Sequence, residues 1–258
     1  MLAEPQPTPF DIDFRAAGVP VRVSGLFWLG TALIGWGSCQ AFARGNPREI
    51  LLYLAIWTAV VLVSILVHEL GHALAYRRFG QDARIVLYHF GGLAIPESWG
   101  RRRHLRPAER FIVSAAGPAA QLLLALAVIL LLRAGGYLVP FPIQSVGESL
   151  GFYQGRRFSS PFVFAVADFL LFVNIMWPLL NLMPVPPLDG GQMVREGLEA
   201  VGVADAGRIA TGIGAIVGGG LAWLAYTRQE TYLGIMFAML AVACFQNLRQ
   251  SPPWKRWN

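Results

Sequence analysis

The stretch Ser64-Ile-Leu-Val-His68-Glu69-Leu70-Gly71-His72 lies in the middle of an apolar run. On a helix, histidines at i and i+4 share one face. His68 and His72 are therefore spaced to grip a single metal ion, and Glu69 stands beside them to take a proton from bound water. The chemistry such a set can perform is metal-assisted hydrolysis. Matches to a five-residue pattern of this kind arise by chance, and isolated histidines are usually structural. The surroundings change the odds, because two imidazoles and a carboxylate in one turn of an apolar helix are expensive unless they face a polar site. A catalytic zinc typically takes three protein ligands and leaves a fourth position for water. His89, His104 and the carboxylates could supply the third. Asp189 is the best candidate. It lies in Asn181-Leu-Met-Pro184-Val-Pro186-Pro187-Leu188-Asp189-Gly190-Gly191, where three prolines break a helix and Asp189 emerges before two flexible glycines. Asp168 rivals it by charge, but counting from Pro161 puts it about 10 Å below the opposite membrane face, where it would line a water or substrate path. His89 and His104 read as ordinary polar residues of a hairpin and an arginine-rich loop.

The elements that must position these residues belong in a bilayer. Of 258 residues, 55% are hydrophobic and 14% charged, against roughly 25% charged in an ordinary soluble domain. Six apolar segments, about 24–42, 50–76, 110–132, 161–183, 208–226 and 231–248, approach or exceed the length of a membrane-spanning helix. The fold class is therefore an all-α polytopic membrane protein of about six transmembrane helices. Between the second and third segments, Ala83 to Pro96 carries a β-rich run and then Gly91-Gly92, which predicts a short hairpin, and Val19 to Val23 predicts another strand. At membrane depth such strands must pair with each other or line a cavity.

The net charge of +6 comes from arginines that lie mostly between apolar segments, so membrane topology explains it better than nucleic acid does. Eight arginines fall between Arg77 and Arg110; the positive-inside rule makes that loop cytoplasmic and, with six crossings, both termini as well. His68 precedes Arg77 by nine residues, which is roughly 13 Å of helix, so the metal would be buried but nearer the cytoplasm. Met1 to Arg22 has no basic start and reads as no cleaved signal peptide. Cys39 and Cys244 sit in different apolar segments and read as packing residues. Gly214 and Gly218 have the spacing of close helix packing, more naturally within one chain than between copies.

Through His68-Glu69-Leu-Gly-His72 and Asn181-Leu-Met-Pro184 to Leu188-Asp189-Gly190, the sequence resembles the site-2 protease family of intramembrane zinc metalloproteases, peptidase family M50. Phe90-Gly91-Gly92-Leu-Ala and Ala115-Ala-Gly117-Pro118 extend the resemblance over about 19–200. It implies a three-helix catalytic core, one zinc per chain held by His68, His72 and Asp189, and Glu69 as general acid and base. It also implies that Asn181 helps to hold substrate backbone or transition state. The position four after Gly117, often asparagine in relatives, is Gln121, which leaves the polar role of the third helix open. No PDZ or CBS domain is expected, and residues 1–258 read as one integral-membrane domain of the bacterial cytoplasmic membrane.

The expected activity is hydrolysis of a peptide bond in or near a transmembrane segment of a membrane-protein substrate. That segment must unwind locally, and the strand edge at Gly91, Gly92 and Leu93 could receive it as an added strand. The alternatives are a metal transporter, which does not need Glu69, and a non-catalytic scaffold that keeps a structural zinc. The expected partners are that substrate and the lipid bilayer, with no nucleic acid.

Overall fold

The computed structural model describes residues 6–89, 91–97 and 104–250. They form two compact units. One comprises residues up to 103 together with 116–179; the other comprises 104–115 and the chain from 180 onward.

The first unit begins with β1 (Ile12–Ala16) and β2 (Val19–Val23), joined by Ala17 and Gly18 with φ of 49° and 74°. Two positive φ angles in a two-residue loop give the mirror-type turn whose twist suits a hairpin. Next come α1 (Gly25–Ala43) and α2 (Pro47–Arg78), then β3 (Ala83–Tyr88) and β4 (Gly91–Pro96). The sheet order is β1-β2-β3-β4; β2 runs parallel to β3, and β3 and β4 are an antiparallel hairpin. The hairpin and the further strand expected from the sequence are present and paired as β3, β4 and β2, and β1 is an additional strand.

α2 starts on Asn46, whose side chain accepts from the Arg48 amide at 3.2 Å, with Pro47 in the first turn. Proline suits that position because its missing N–H would be unpaired anyway. At the other end Arg77 donates to the Ala17 and Gly18 carbonyls at 2.9 and 2.7 Å, tying the end of α2 to the β1–β2 turn. α1 lies close to α2 because Gly35 has no side chain: a Cβ there would come within 2.3 Å of the Trp57 indole. That indole donates to the Thr31 carbonyl at 2.9 Å and meets Phe169 edge to face at 5.2 Å. Val19, Val21, Val23, Ile85 and Leu87 cover the same core from the sheet. α3 (Pro107–Ala134) begins in the other unit and continues into this one, followed by the short α4 (Gln144–Ser149) and by α5 (Pro161–Asn181).

The second unit carries α6 (Asp189–Ala200), α7 (Ala206–Thr227) and α8 (Thr231–Gln250). Gly218 on α7 would place a Cβ 3.3 Å from Ala241 on α8, so the glycine spacing serves packing within the chain. Cys39 and Cys244 are buried free thiols.

Each of the six apolar segments is helical. Among the described residues five helices are long and apolar enough to cross a membrane: α2, α3, α5, α7 and α8. α1 falls short of that group because Gly30, Gly35, Gly37, Ser38 and Gln40 dilute its hydropathy, although Leu29, Leu33 and Ile34 project from it exposed. The fold is a mostly helical membrane protein with a small sheet.

Candidate metal centre

In the first unit, α2 carries His68, Glu69 and His72, which are 3%, 5% and 8% exposed. One helical turn separates the two imidazoles, and their rings meet edge to face with centroids 4.8 Å apart and Nε2 atoms 3.0 Å apart. Two nitrogens bound to one tetrahedral zinc at ~2.0–2.1 Å would lie about 3.3 Å apart. A small ring rotation brings the pair to that spacing, and neutral imidazoles are suitable donors, so these residues fit a zinc ion.

Small residues let other elements reach this turn. A Cβ on Gly71 would come within 2.4 Å of the Ala116 carbonyl, and one on Gly117 would meet His72 Nε2 at 2.2 Å. The backbones of α2 and α3 thus approach where neither carries a side chain, and His72 rests against bare α3 backbone. Pro118 follows at once and withdraws the N–H that the Ser114 carbonyl would receive. One turn further, fully buried Gln121 sets its Oε1 2.9 Å from His68 Nδ1. On the preceding turn of α2, Ser64 accepts from Asn174 of α5 at 2.7 Å, and both are fully buried.

β4 closes on the same turn. A Cβ on Gly92 would lie 2.3 Å from Glu69 Cγ, and Gly91, with φ of 128°, would place one 3.1 Å from the Trp177 ring. Gly91 needs glycine for its conformation and Gly92 for the space Glu69 occupies. Tyr88 is close enough to Glu69 to feel its charge: burial, and secondarily that carboxylate, push the phenol above its ordinary value. Leu93 follows on β4, which is an edge strand of the sheet.

The remaining expected residues belong to the second unit. Asn181 ends α5, and Asp189 is the first residue of α6. Gly190 and Gly191 were expected to be a flexible stretch, and they instead form the first turn of that helix. A Cβ on Gly190 would come within 2.1 Å of the Leu182 carbonyl, and one on Gly191 within 2.3 Å of the Pro186 nitrogen. The glycines let the start of α6 nest against the 182–186 turn, which fixes Asp189. From behind, Gly214 of α7 abuts Pro186, and the Cys244 thiol lies 3.4 Å from the Pro186 carbonyl. Further along α6, buried Glu196 accepts from Ser114 at 2.8 Å and pairs with Arg195 and Arg110 at 3.4 and 3.9 Å.

Asp168 is half-buried on α5, His89 is half-buried after β3, and His104 is exposed. None of the three belongs to a metal-competent group among the described residues. The sequence pointed to Gln121 only through the family resemblance, which left its role open, and did not mark Ser64, Asn174 or Trp177. Of the motif 90–94, Phe90 lies outside the described residues.

The family model for peptidase family M50 matches residues 56–224, a span that contains His68, Glu69, His72 and Asp189. The chain belongs to peptidase family M50. It is 32% identical over 235 residues to Rip3 of Mycobacterium tuberculosis, provisionally named a zinc metalloprotease; the match covers 82% of this chain and 54% of Rip3. It is 30% identical over 210 residues to sll0528 of Synechocystis, named in the same way, covering 76% of this chain and 48% of that protein. This M50 chain thus spans about half the length of those relatives. The solved structure of a site-2 protease from Methanocaldococcus jannaschii shares its fold, with 18% identity, a TM-score of 0.51 and coverage of 96% of this chain and all of that one.

Proposed function

We propose that this M50 chain is an intramembrane zinc metalloprotease that cuts a peptide bond in or near a transmembrane segment of a membrane-protein substrate. The observation that carries the reading is the buried turn His68-Glu69-His72, with two imidazole nitrogens converging and a carboxylate beside them inside an apolar helix. His68, His72 and Asp189 are the ligands in this reading and hold one zinc per chain. In support, the His68 and His72 ring nitrogens lie 3.0 Å apart on one turn of α2. The names of the M50 relatives point to zinc. Bound there, zinc would polarise a scissile carbonyl and acidify a water.

Glu69 then takes the proton of the attacking water on its carboxylate and passes it to the leaving amine. Gly92 keeps the space that carboxylate occupies, and Trp177 against Gly91 holds the strand there. Asn181 donates its amide to substrate backbone or to the developing oxyanion. A substrate helix already satisfies its own amides and carbonyls, so it must unwind; β4, as an edge strand, offers the Gly91, Gly92 and Leu93 backbone to pair with it. The chain acts as one integral-membrane domain with the arginine-rich 77–110 connection and both termini cytoplasmic, following the positive-inside rule.

The test is Glu69→Gln in protein purified in detergent. Zinc should stay stoichiometric while cleavage of a transmembrane substrate disappears. Loss of zinc along with activity would make Glu69 a ligand. Zinc transport by the wild type in proteoliposomes without cleavage would instead make the chain a transporter, and bound zinc with neither activity would leave a scaffold.

A further inference from the structure

Gln121 is fully buried, and the chemistry proposed above does not use it. Its Oε1 lies 2.9 Å from His68 Nδ1. An amide oxygen accepts and never donates, so the contact requires Nδ1 to carry the ring proton. With the amide turned over, Nε2 of Gln121 would donate to a bare Nδ1 and the proton would move to His68 Nε2. An N–H would then point at His72 Nε2, 3.0 Å away, and the His68 nitrogen nearest its partner would be closed to a metal. Only the first orientation leaves two lone pairs converging.

That orientation has a cost. It leaves Gln121 Nε2 buried with no hydrogen-bond partner, and a stranded amide of this kind is destabilising. A leucine of similar volume would fill the seam between α2 and α3 without that penalty. The metal-free protein could tolerate it, because the His68 proton can move to Nε2 and donate to His72 instead. Gln121 is therefore dispensable for folding, and the atom of it in use is the one that dictates the His68 tautomer.

We propose that Gln121 is the positioning residue of the metal centre: its Oε1 holds the His68 ring with the proton on Nδ1, so that Nε2 is presented as a lone pair to the metal. The inference rests on the reading of His68 and His72 as metal ligands. It deepens that reading by giving α3 a polar role. Partners that fix a ligand histidine in this way typically contribute about 10–100-fold to metal affinity.

The experiment compares wild type, Gln121→Leu and Gln121→Glu, each purified without metal in detergent and titrated with zinc against a competing chelator. Gln121→Leu should melt no lower than the wild type when metal-free, yet bind zinc about 10–100-fold more weakly. Gln121→Glu, which keeps an acceptor at the same reach, should bind at least as tightly as the wild type. Nitrogen-15 spectra of the histidines should show the His68 proton on Nδ1 in the wild type and on Nε2 in the leucine variant. Equal zinc affinity in wild type and Gln121→Leu, or equal loss in both variants, overturns the proposal. A wild type that takes up no zinc overturns the metal reading instead, and the tautomer signals still decide the role of Gln121.

Discussion

Replacing Gly92 by alanine isolates the position of one carboxylate. The new methyl carbon would lie 2.3 Å from Glu69 Cγ and 2.5 Å from its Oε1, where ordinary contact begins at 3.4 Å. Strand and carboxylate must therefore part by about 1 Å, and a misplacement of that size at a group handling the reacting proton costs on the order of 10²-fold in turnover. Unlike Gly91, Gly92 does not hold the left-handed backbone that strains a side chain, so the alanine acts through the collision alone. The three heavy atoms nearest the new methyl all belong to Glu69. Gly92→Ala should accordingly keep its zinc content and lose about 10²-fold in kcat on a transmembrane substrate. Zinc is read by elemental analysis, fold by melting temperature, and turnover in detergent. A variant that turns over within a few-fold of wild type would show that Glu69 does not work from the position it occupies against β4.

Asp189→Ala should weaken zinc binding by more than the ~100-fold typical of losing an outer partner, whereas Asp168→Ala should leave zinc stoichiometric; the reverse pattern in chelator competition would exchange their roles. Leu93→Pro removes an amide from the edge strand and should slow cleavage with zinc unchanged, as should replacing Gly, Pro or Asn near a substrate's cleavage site by leucine. Equal cleavage of leucine-stabilised and helix-broken substrates would remove unwinding from the mechanism. Burial holds the Glu196 carboxyl above its ordinary 4.5, against the lowering by Ser114, Arg195 and Arg110. A carboxyl with a raised folded value contributes most below 4.5, and its contribution falls as pH rises through the folded value. Glu196→Gln should flatten that part of the melting-temperature profile, and an identical slope in both proteins would assign the pH response elsewhere.

The turn from His68 to His72 was legible because the i, i+4 spacing of the two histidines is a helical property and their apolar surroundings make them costly without a function. The helices were legible for the same reason of hydropathy, to within a few residues at each end. β1 was missed because Ile12, Phe14 and Ala16 alternate weakly beside prolines and acids; its clearest signal was Ala17-Gly18, which the turn needs. α6 was missed because glycine pairs usually interrupt helices. Here Gly190 and Gly191 begin one, since any larger residue would strike the 182–186 turn. Nothing local in the sequence joins Gln121 to His68 or Asn174 to Ser64, because those pairings depend on how closely the small residues let the helices approach.

The parallel pairing of β2 with β3 has a consequence for biosynthesis. Parallel neighbours cannot be joined by a tight turn, and here the connection between them is the whole of α1 and α2. As the chain leaves the ribosome, β2 waits without its inner neighbour until both helices have been made and placed, and Gly92 reaches Glu69 only after β4 follows. The turn that carries Glu69 thus precedes β4 in the chain, and the fit of Gly92 against its carboxylate is made only when β4 folds back. A chain in which α1 and α2 do not pack as a pair cannot bring residues 21–23 alongside 85–87. Such a chain would leave the β2 edge that faces β3 unpaired.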